Sequence, residues 1–166
     1  MQRKDFVKTV ASYQELVNGV AKVINEVKPD VIFAPDPDVD SECHVDHLNV
    51  GRACKELANF ANYPDIFKNY LDVDCKCEAQ NIMAICLYMT AKPNSFVKTS
   101  GHFKRQMEAI GYHSSQYPQN HAATSSLHLY LKLRSIENGL RICSFSAEGF
   151  RMMNRTRMHC LPEASN

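Results

Sequence analysis

The 166 residues suit one domain of ordinary size, and 45% hydrophobic with 22% charged residues is typical of a soluble globular protein. A net charge of +1 with interspersed acids and bases provides no basic face, which argues against nucleic acid as a partner. The sequence has neither a membrane-length apolar run nor a signal peptide at its start, so we expect a cytoplasmic protein without a membrane span.

The first predicted element is a helix that leads into a buried strand. Ser12 with Glu15 three residues later forms a capping box, and apolar residues follow at helical spacing until Pro29 ends the helix. The continuous apolar run Val31–Ala34 then predicts a strand that is covered on both faces, as in a parallel sheet.

The rest of the chain alternates helical patterns with short apolar runs. The predicted elements are helices over 47–62, 100–116 and 125–139, strands over 82–89 and 140–145, a loop over 67–81, an extended piece over 92–100, and a short helical or looped segment over 147–154. This alternation predicts an α/β fold with a mostly parallel sheet and helices on its faces.

The helix at the start of this order is unusual. A parallel sheet ordinarily opens with a strand, whereas here a helix precedes a strand that needs cover on both faces. We therefore expect strands that complete the sheet to be missing from these residues, and to be supplied by a preceding segment or by a partner chain.

A group of acids and histidines follows the first strand, in the stretch "PDPDVDSECHVDH". Functional sites in α/β sheets form beyond the carboxyl ends of strands. His44 and His47 can converge on one point if a helix starts near Asp46, and imidazole is a common zinc ligand. A carboxylate beside a histidine can fix its tautomer, or hold it protonated to stabilise an oxyanion or protonate a leaving amine.

The same pattern has an ordinary structural explanation. A His-x-x-His pair also occurs at solvated helix starts, where Asp46 would serve only as an N-cap. The aspartates at 36, 38 and 40 suit a proline-containing turn. Spacing alone leaves both explanations open.

Four segments together resemble the PIG-L/LmbE family of zinc-dependent sugar N-deacetylases. In "PDVIFAPDP" and "HVDHLNVGRA" a strand ends in a Pro-Asp-Pro turn, and a His-x-Asp-His motif opens a glycine-containing helix. "LYMTAKPNSFV", "FKRQMEAIGYHSSQ" and "FSAEGFR" resemble later family segments in the same order. The resemblance implies an LmbE-like (Rossmann-like) three-layer α/β/α fold, with one partial domain over 1–166.

The resemblance also implies roles for individual residues. His47 corresponds to a zinc ligand, His44 to the acid or electrostatic stabiliser of the tetrahedral intermediate, and Asp46 to the group that tunes His44. The predicted substrate-binding residues are Asp36, Arg52 and Asn94. The alternatives are a solvated helix arginine at 52 and an asparagine at 94 that only fixes the backbone. Valine at 45 stands where the family usually has proline.

One element of the family pattern has no counterpart in the sequence. The family's N-terminal His-Pro-Asp-Asp-Glu motif supplies two further zinc ligands and the general base, and it does not occur here. The resemblance therefore implies the C-terminal portion of a hydrolase that deacetylates an N-acetylglucosamine-type conjugate. The remaining Zn²⁺ ligands are expected from the missing segment, and a homo-oligomer or a partner chain is expected to supply the missing strands.

Two alternative functions follow from the same observations. The chain could be an inactive remnant or a carbohydrate-binding module that lacks the metal site. A doubly wound nucleotide-binding protein is a weaker alternative, because the six glycines form no phosphate-binding loop.

Overall fold

A computed structural model of the protein describes residues 12–71, 77–118 and 122–159, which form two compact units. The first contains residues up to 93 and from 150, and the second contains 94–149. The elements are α1 (Tyr13–Val27), β1 (Val31–Pro35), α2 (Val45–Phe60), α3 (Pro64–Phe67) with a 3-10 turn (Lys68–Tyr70), β2 (Ala84–Tyr88), β3 (Ser95–Lys98), α4 (Phe103–Gly111), α5 (Ala122–Leu140) and β4 (Ala147–Asn154). No helix among these residues is long and apolar enough to cross a membrane.

The first helix begins and ends as its sequence predicts. The Ser12 hydroxyl accepts a hydrogen bond from the Glu15 amide at 3.4 Å. At the other end Lys28 adopts the left-handed conformation, with φ of 50°, and its amide donates to the Ile24 carbonyl at 2.8 Å. Both ends thus satisfy backbone groups that the helix leaves unpaired.

The sheet in the first unit is mixed, so the prediction of a mostly parallel sheet is wrong. β1 runs parallel to β2, with Val31 opposite Ala84, while β2 runs antiparallel to β4, with Ala84 opposite Asn154. The error arises from β4, whose sequence AEGFRMMN was expected to be helical or looped. Glycine, glutamate and methionine give little β signal, and pairing with β2 overrides that weak local preference.

The core of the first unit lies between α1, α2, α3 and one face of the sheet. The sheet contributes Ile32, Ala34, Ile85 and Leu87, and the helices contribute Val17, Ala21, Leu57 and Phe67, all buried. On the opposite face of β1, Val31 is 36% and Phe33 59% exposed. This face is therefore open at β1, whereas the neighbouring residues of β2, Ala84 and Cys86, are buried.

Other sequence-based boundaries need smaller corrections. The predicted loop over 67–81 begins instead as the end of α3, where Phe67 is fully buried, and its residues 72–76 lie outside the described ones. The predicted strand over 140–145 is a turn after α5, closed by the Ser144 amide donating to the Gly139 carbonyl at 2.8 Å. Gly139 is required there, since a Cβ would lie 2.6 Å from the Ser144 carbonyl oxygen.

The second unit comprises β3, α4, α5 and the first residues of β4, which lie beside β3. The helix predicted over 100–116 is shorter than expected, since α4 covers only Phe103–Gly111 and its N-cap is His102. Phe103, Met107 and Ile110 are half-buried along one face of α4.

Candidate functional site

The carboxyl end of β1 runs into a tight turn over residues 35–38. The Asp36 amide donates to the Tyr88 carbonyl at 3.0 Å, which extends the pairing of β1 with β2 by one residue. The Asp36 carboxylate then accepts the Asp38 amide at 3.1 Å, the local bond by which aspartate favours a turn. The first part of the acidic stretch is therefore built into the end of the strand.

Arg151 of β4 binds two aspartates of this turn. Its Nη2 donates to Asp36 Oδ1 at 2.6 Å and also to Asp38 Oδ2, and both Arg151 and Asp36 are only 5% exposed. Lys55 of α2 reaches Asp38 Oδ2 as well, at 2.7 Å. Burial alone would raise the pKa of Asp38, but the hydrogen bonds from Arg151 and Lys55 outweigh it and lower the pKa.

Gly51 lets α2 lie directly against the same turn. A Cβ at this position would lie 2.5 Å from the Pro35 carbonyl oxygen and 2.9 Å from Pro37 Cδ. Such distances are shorter than real Cβ atoms show, so this close packing requires glycine. The helix that carries His47 is thereby fixed against the turn that precedes it.

A short loop joins the turn to α2, and Glu42 organises it. The Glu42 amide donates to the Val39 carbonyl at 2.9 Å. Its side chain accepts the His44 amide through Oε1 at 2.7 Å and lies 2.9 Å from His47 Nδ1 through Oε2. These contacts lower the pKa of Glu42, the His47 hydrogen bond contributing most, so the carboxylate is ionised at neutral pH.

The contact with Glu42 determines which nitrogen of His47 carries a proton. An ionised carboxylate only accepts hydrogen bonds, so Nδ1 must be the donor. In the neutral ring Nε2 then has a free lone pair, the form that binds a metal. The His47 side chain is 56% exposed, so this nitrogen belongs to an accessible group.

His44 and His47 lie side by side, as the spacing predicts. Their ring centroids are 4.5 Å apart and their planes differ by 19°. α2 begins at Val45, which makes His44 the N-cap position and places Asp46 in the first turn. His44 Nδ1 is 3.9 Å from Asp46 Oδ2. Asp46 is therefore not the N-cap that the ordinary structural explanation supposed.

The three residues predicted to bind substrate have different surroundings. Asp36 is buried in its ion pair with Arg151. Arg52 is exposed on α2, and it interacts electrostatically with Tyr13 of α1. Asn94 begins the second unit, just before β3, and is exposed. The substrate-binding role of all three stays a prediction.

The side chains present fit one part of a metal site. Among the described residues no three histidine, cysteine, aspartate or glutamate side chains are grouped to hold an ion. The carboxylates of Asp36 and Asp38 are engaged by Arg151 instead. His47, with Nδ1 held by Glu42, has the donor chemistry that a zinc ion takes from a protein, so the residues present fit the ion as a single ligand.

Sequence reasoning missed three residues that shape this site. Glu42 was seen only as one acid among several, although a glutamate five residues before a histidine at a helix start can reach back to it. Gly51 was noted as part of the motif without its packing reason. Arg151 ends the segment "FSAEGFR", but no local pattern connects it to an aspartate 115 residues earlier.

Comparison with known proteins finds similarity to diacetylchitobiose deacetylases. The chain is 29% identical over 161 residues to a diacetylchitobiose deacetylase of Thermococcus kodakarensis. It also matches the structure of N,N'-diacetylchitobiose deacetylase from Pyrococcus horikoshii, solved with the inhibitor MPG, with a TM-score of 0.79 and 29% identity. Similarity over 96% and 93% of this chain in sequence and structure indicates common ancestry with these deacetylases.

The chain matches only part of the length of each of these proteins. The chain spans 59% of the Thermococcus protein and 57% of the Pyrococcus chain. A second structure, the conserved protein TT1542 from Thermus thermophilus, matches 82% of the chain with a TM-score of 0.62 at 18% identity, which supports the fold alone. No protein-family profile matches the sequence.

Proposed function

We propose that this chain carries the His-x-Asp-His side of a zinc-dependent N-deacetylase site that acts on an N-acetylglucosamine-type sugar conjugate. The single observation that supports it best is the pair of stacked imidazoles, each beside its own carboxylate, at the carboxyl end of β1. The 29% identity to diacetylchitobiose deacetylases supports the choice of reaction and of substrate class.

His47 is the metal ligand in this proposal. Glu42 holds its Nδ1 proton and leaves Nε2 to bind. Zinc held there would supply a coordinated water with a pKa lowered toward about 7 and would polarise the acetamide carbonyl. Two further ligands and the general base are proposed to come from the His-Pro-Asp-Asp-Glu segment that the family resemblance implies.

His44 handles charge and protons on the substrate side of the pair. In its protonated form His44, with Asp46 beside it, would donate a hydrogen bond to the oxygen that becomes negative when the acetamide carbonyl is attacked. The same ring can then give its proton to the departing amine, which yields acetate and the free amino sugar. Asp46 acts only through His44, by placing a carboxylate beside that ring.

A chimera tests the proposal without assuming that the chain is complete. The 161-residue matching part of the Thermococcus deacetylase is replaced by this chain, and acetate release from diacetylchitobiose is followed together with bound zinc. We expect acetate release and retained zinc. His47→Ala should abolish both, whereas His44→Ala should keep the metal and lower kcat by roughly 100-fold or more.

The control is His102→Ala, which removes an exposed histidine of the second unit and should change neither readout. Full activity in His44→Ala would remove the role given to that residue. A folded chimera that binds no zinc and releases no acetate would instead favour the carbohydrate-binding or remnant alternative. The chain alone is assayed in parallel, which measures how much of the activity its own residues support.

A further inference from the structure

The buried ion pair between Arg151 and Asp36 is not expected to contribute much to stability. Replacing a buried ion pair by apolar side chains is often neutral or stabilising, since both charges lose their hydration. Arg151 also keeps its Nε buried without a hydrogen-bond partner, a further unfavourable contribution. The presence of Arg151 is therefore better explained by the geometry that it imposes on the 35–38 turn than by a gain in stability.

A short segment of chain, from Asp38 to Glu42, connects the turn to the histidines. Arg151 fixes Asp38 as well as Asp36. Glu42 follows Asp38 closely in sequence, and the bond from the Glu42 amide to the Val39 carbonyl closes the segment between them. A shift of Asp38 would therefore move the Glu42 carboxylate, which holds the His44 amide and His47 Nδ1.

A second connection ties the same aspartate to the histidine helix. Lys55 donates to Asp38 from α2, two turns after His47 on the same helix. Lys55 is partly exposed and flexible, with a side chain 33% accessible, whereas Arg151 is buried and its planar guanidinium bonds two carboxylates at once. Of the two cations, Arg151 is thus the one that can define a single position for the turn.

We infer that Arg151 is a positioning residue for the histidine pair: through the 35–38 turn it fixes Glu42, and thereby the orientation and tautomer of His47. The catalytic importance of this role rests on the proposed function, but the arrangement itself does not. Arg151 touches neither histidine, and its effect passes through Asp38 and the loop.

The test uses the metal-free chain, so it is independent of deacetylase activity. The variants are Arg151→Met, Arg151→Lys and the double variant Asp36→Asn/Arg151→Met. Asparagine keeps an acceptor for the Asp38 amide and removes the buried charge that the loss of Arg151 would leave unpaired. Urea unfolding measures stability, hydrogen exchange measures protection of the His44 amide, and long-range ¹H–¹⁵N spectra measure the His47 tautomer.

A structural and a positioning role give different results. We expect Arg151→Met to lower the unfolding midpoint, to reduce His44 amide protection about tenfold, and to raise the share of the Nε2-protonated tautomer of His47. The double variant should recover most of the midpoint but neither of the two local readouts. Arg151→Lys should retain them in part, since its ammonium group can also donate to two carboxylates but ends one bond short of the Nη2 position.

The matched control is Arg155→Met, which removes an arginine that binds the Ile82 carbonyl and Asn62 away from the turn. It should leave the His44 and His47 readouts unchanged. The inference is overturned if the double variant restores stability and both local readouts together, or if Arg151→Met leaves them as in the wild type. If Arg151→Met does not fold, the double variant and Arg151→Lys decide in the same way.

Discussion

Two neighbouring parts of one segment are built in opposite ways. The 35–38 turn is a buried framework, in which Asp36 is 5% exposed and Arg151 and Gly51 reach it from distant parts of the sequence. A few residues later the histidines are open, with side chains 44% exposed at His44 and 56% at His47, and Glu42 is their common local support. Groups that bind a metal or a substrate must stay accessible, so their positions depend on support from an adjacent buried structure.

Breaking the framework by overpacking should have the largest effect. In Gly51→Ala the new Cβ meets the Pro35 carbonyl oxygen at 2.5 Å, and backbone cannot move aside as a flexible side chain can. We expect a loss of about 3 kcal/mol in the free energy of unfolding, the upper part of the range for overpacked sites. Urea unfolding followed by far-UV circular dichroism measures it.

Gly19→Ala is the matched control for that substitution. Gly19 lies within α1, and a Cβ there would meet nothing within 4 Å. Alanine should stabilise the protein by up to about 1 kcal/mol, because it removes glycine's helix penalty. If the two substitutions changed stability equally, the close contact between α2 and the turn would not be what constrains residue 51.

Acid should weaken the framework through Asp38. Because its pKa is lower in the folded protein than the ordinary value of 3.8, the unfolded chain binds this proton more readily. The stabilisation is therefore complete above about pH 3.8 and is lost as the pH falls through the lower folded value. Asp38→Asn should flatten the fall of the urea midpoint below about pH 4, and an equally steep profile in that variant would contradict this assignment.

The sequence was sufficient where the determining interactions are local. The capping box at Ser12, the stop before Pro29, the strand at Val31 and the helix start beside His44 all depend on residues within a few positions of one another. The approach of the two imidazoles follows from the same local geometry. These elements lie close to their predicted positions.

Sequence reasoning failed where the determining partner is distant. β4 is a strand because β2 accepts it, and nothing in AEGFRMMN signals that pairing. The same strand delivers Arg151 to Asp36, a contact across 115 residues that no periodicity can indicate. The approach of His44 and His47 could be predicted, whereas the residues that hold them could not.

Removing the lysine from the framework should have a small effect on stability. The Lys55–Asp38 contact is partly exposed, with side chains 33% and 47% accessible, so solvent screens it. Lys55→Met keeps most of the aliphatic stem and should lower the free energy of unfolding by about 0.5 kcal/mol at low salt, and by less at high salt. Lys68→Met, which removes a more exposed partner of Asp65, should have no measurable effect.

A change confined to the open part should leave stability unaltered and still alter the chemistry. Glu42 uses one oxygen for the His44 amide and the other for His47 Nδ1–H. In Glu42→Gln the amide has one oxygen only, and with that oxygen on the His44 amide its NH₂ faces His47. An NH₂ donor favours the tautomer with the proton on Nε2, the nitrogen that is needed for a metal.

For Glu42→Gln we expect an unchanged urea midpoint, a shift to the Nε2-protonated ring in long-range ¹H–¹⁵N spectra, and weaker zinc retention in the chimera. Glu26→Gln on the exposed surface of α1 should reproduce none of this, and an unchanged His47 tautomer in Glu42→Gln would show that Glu42 does not set it.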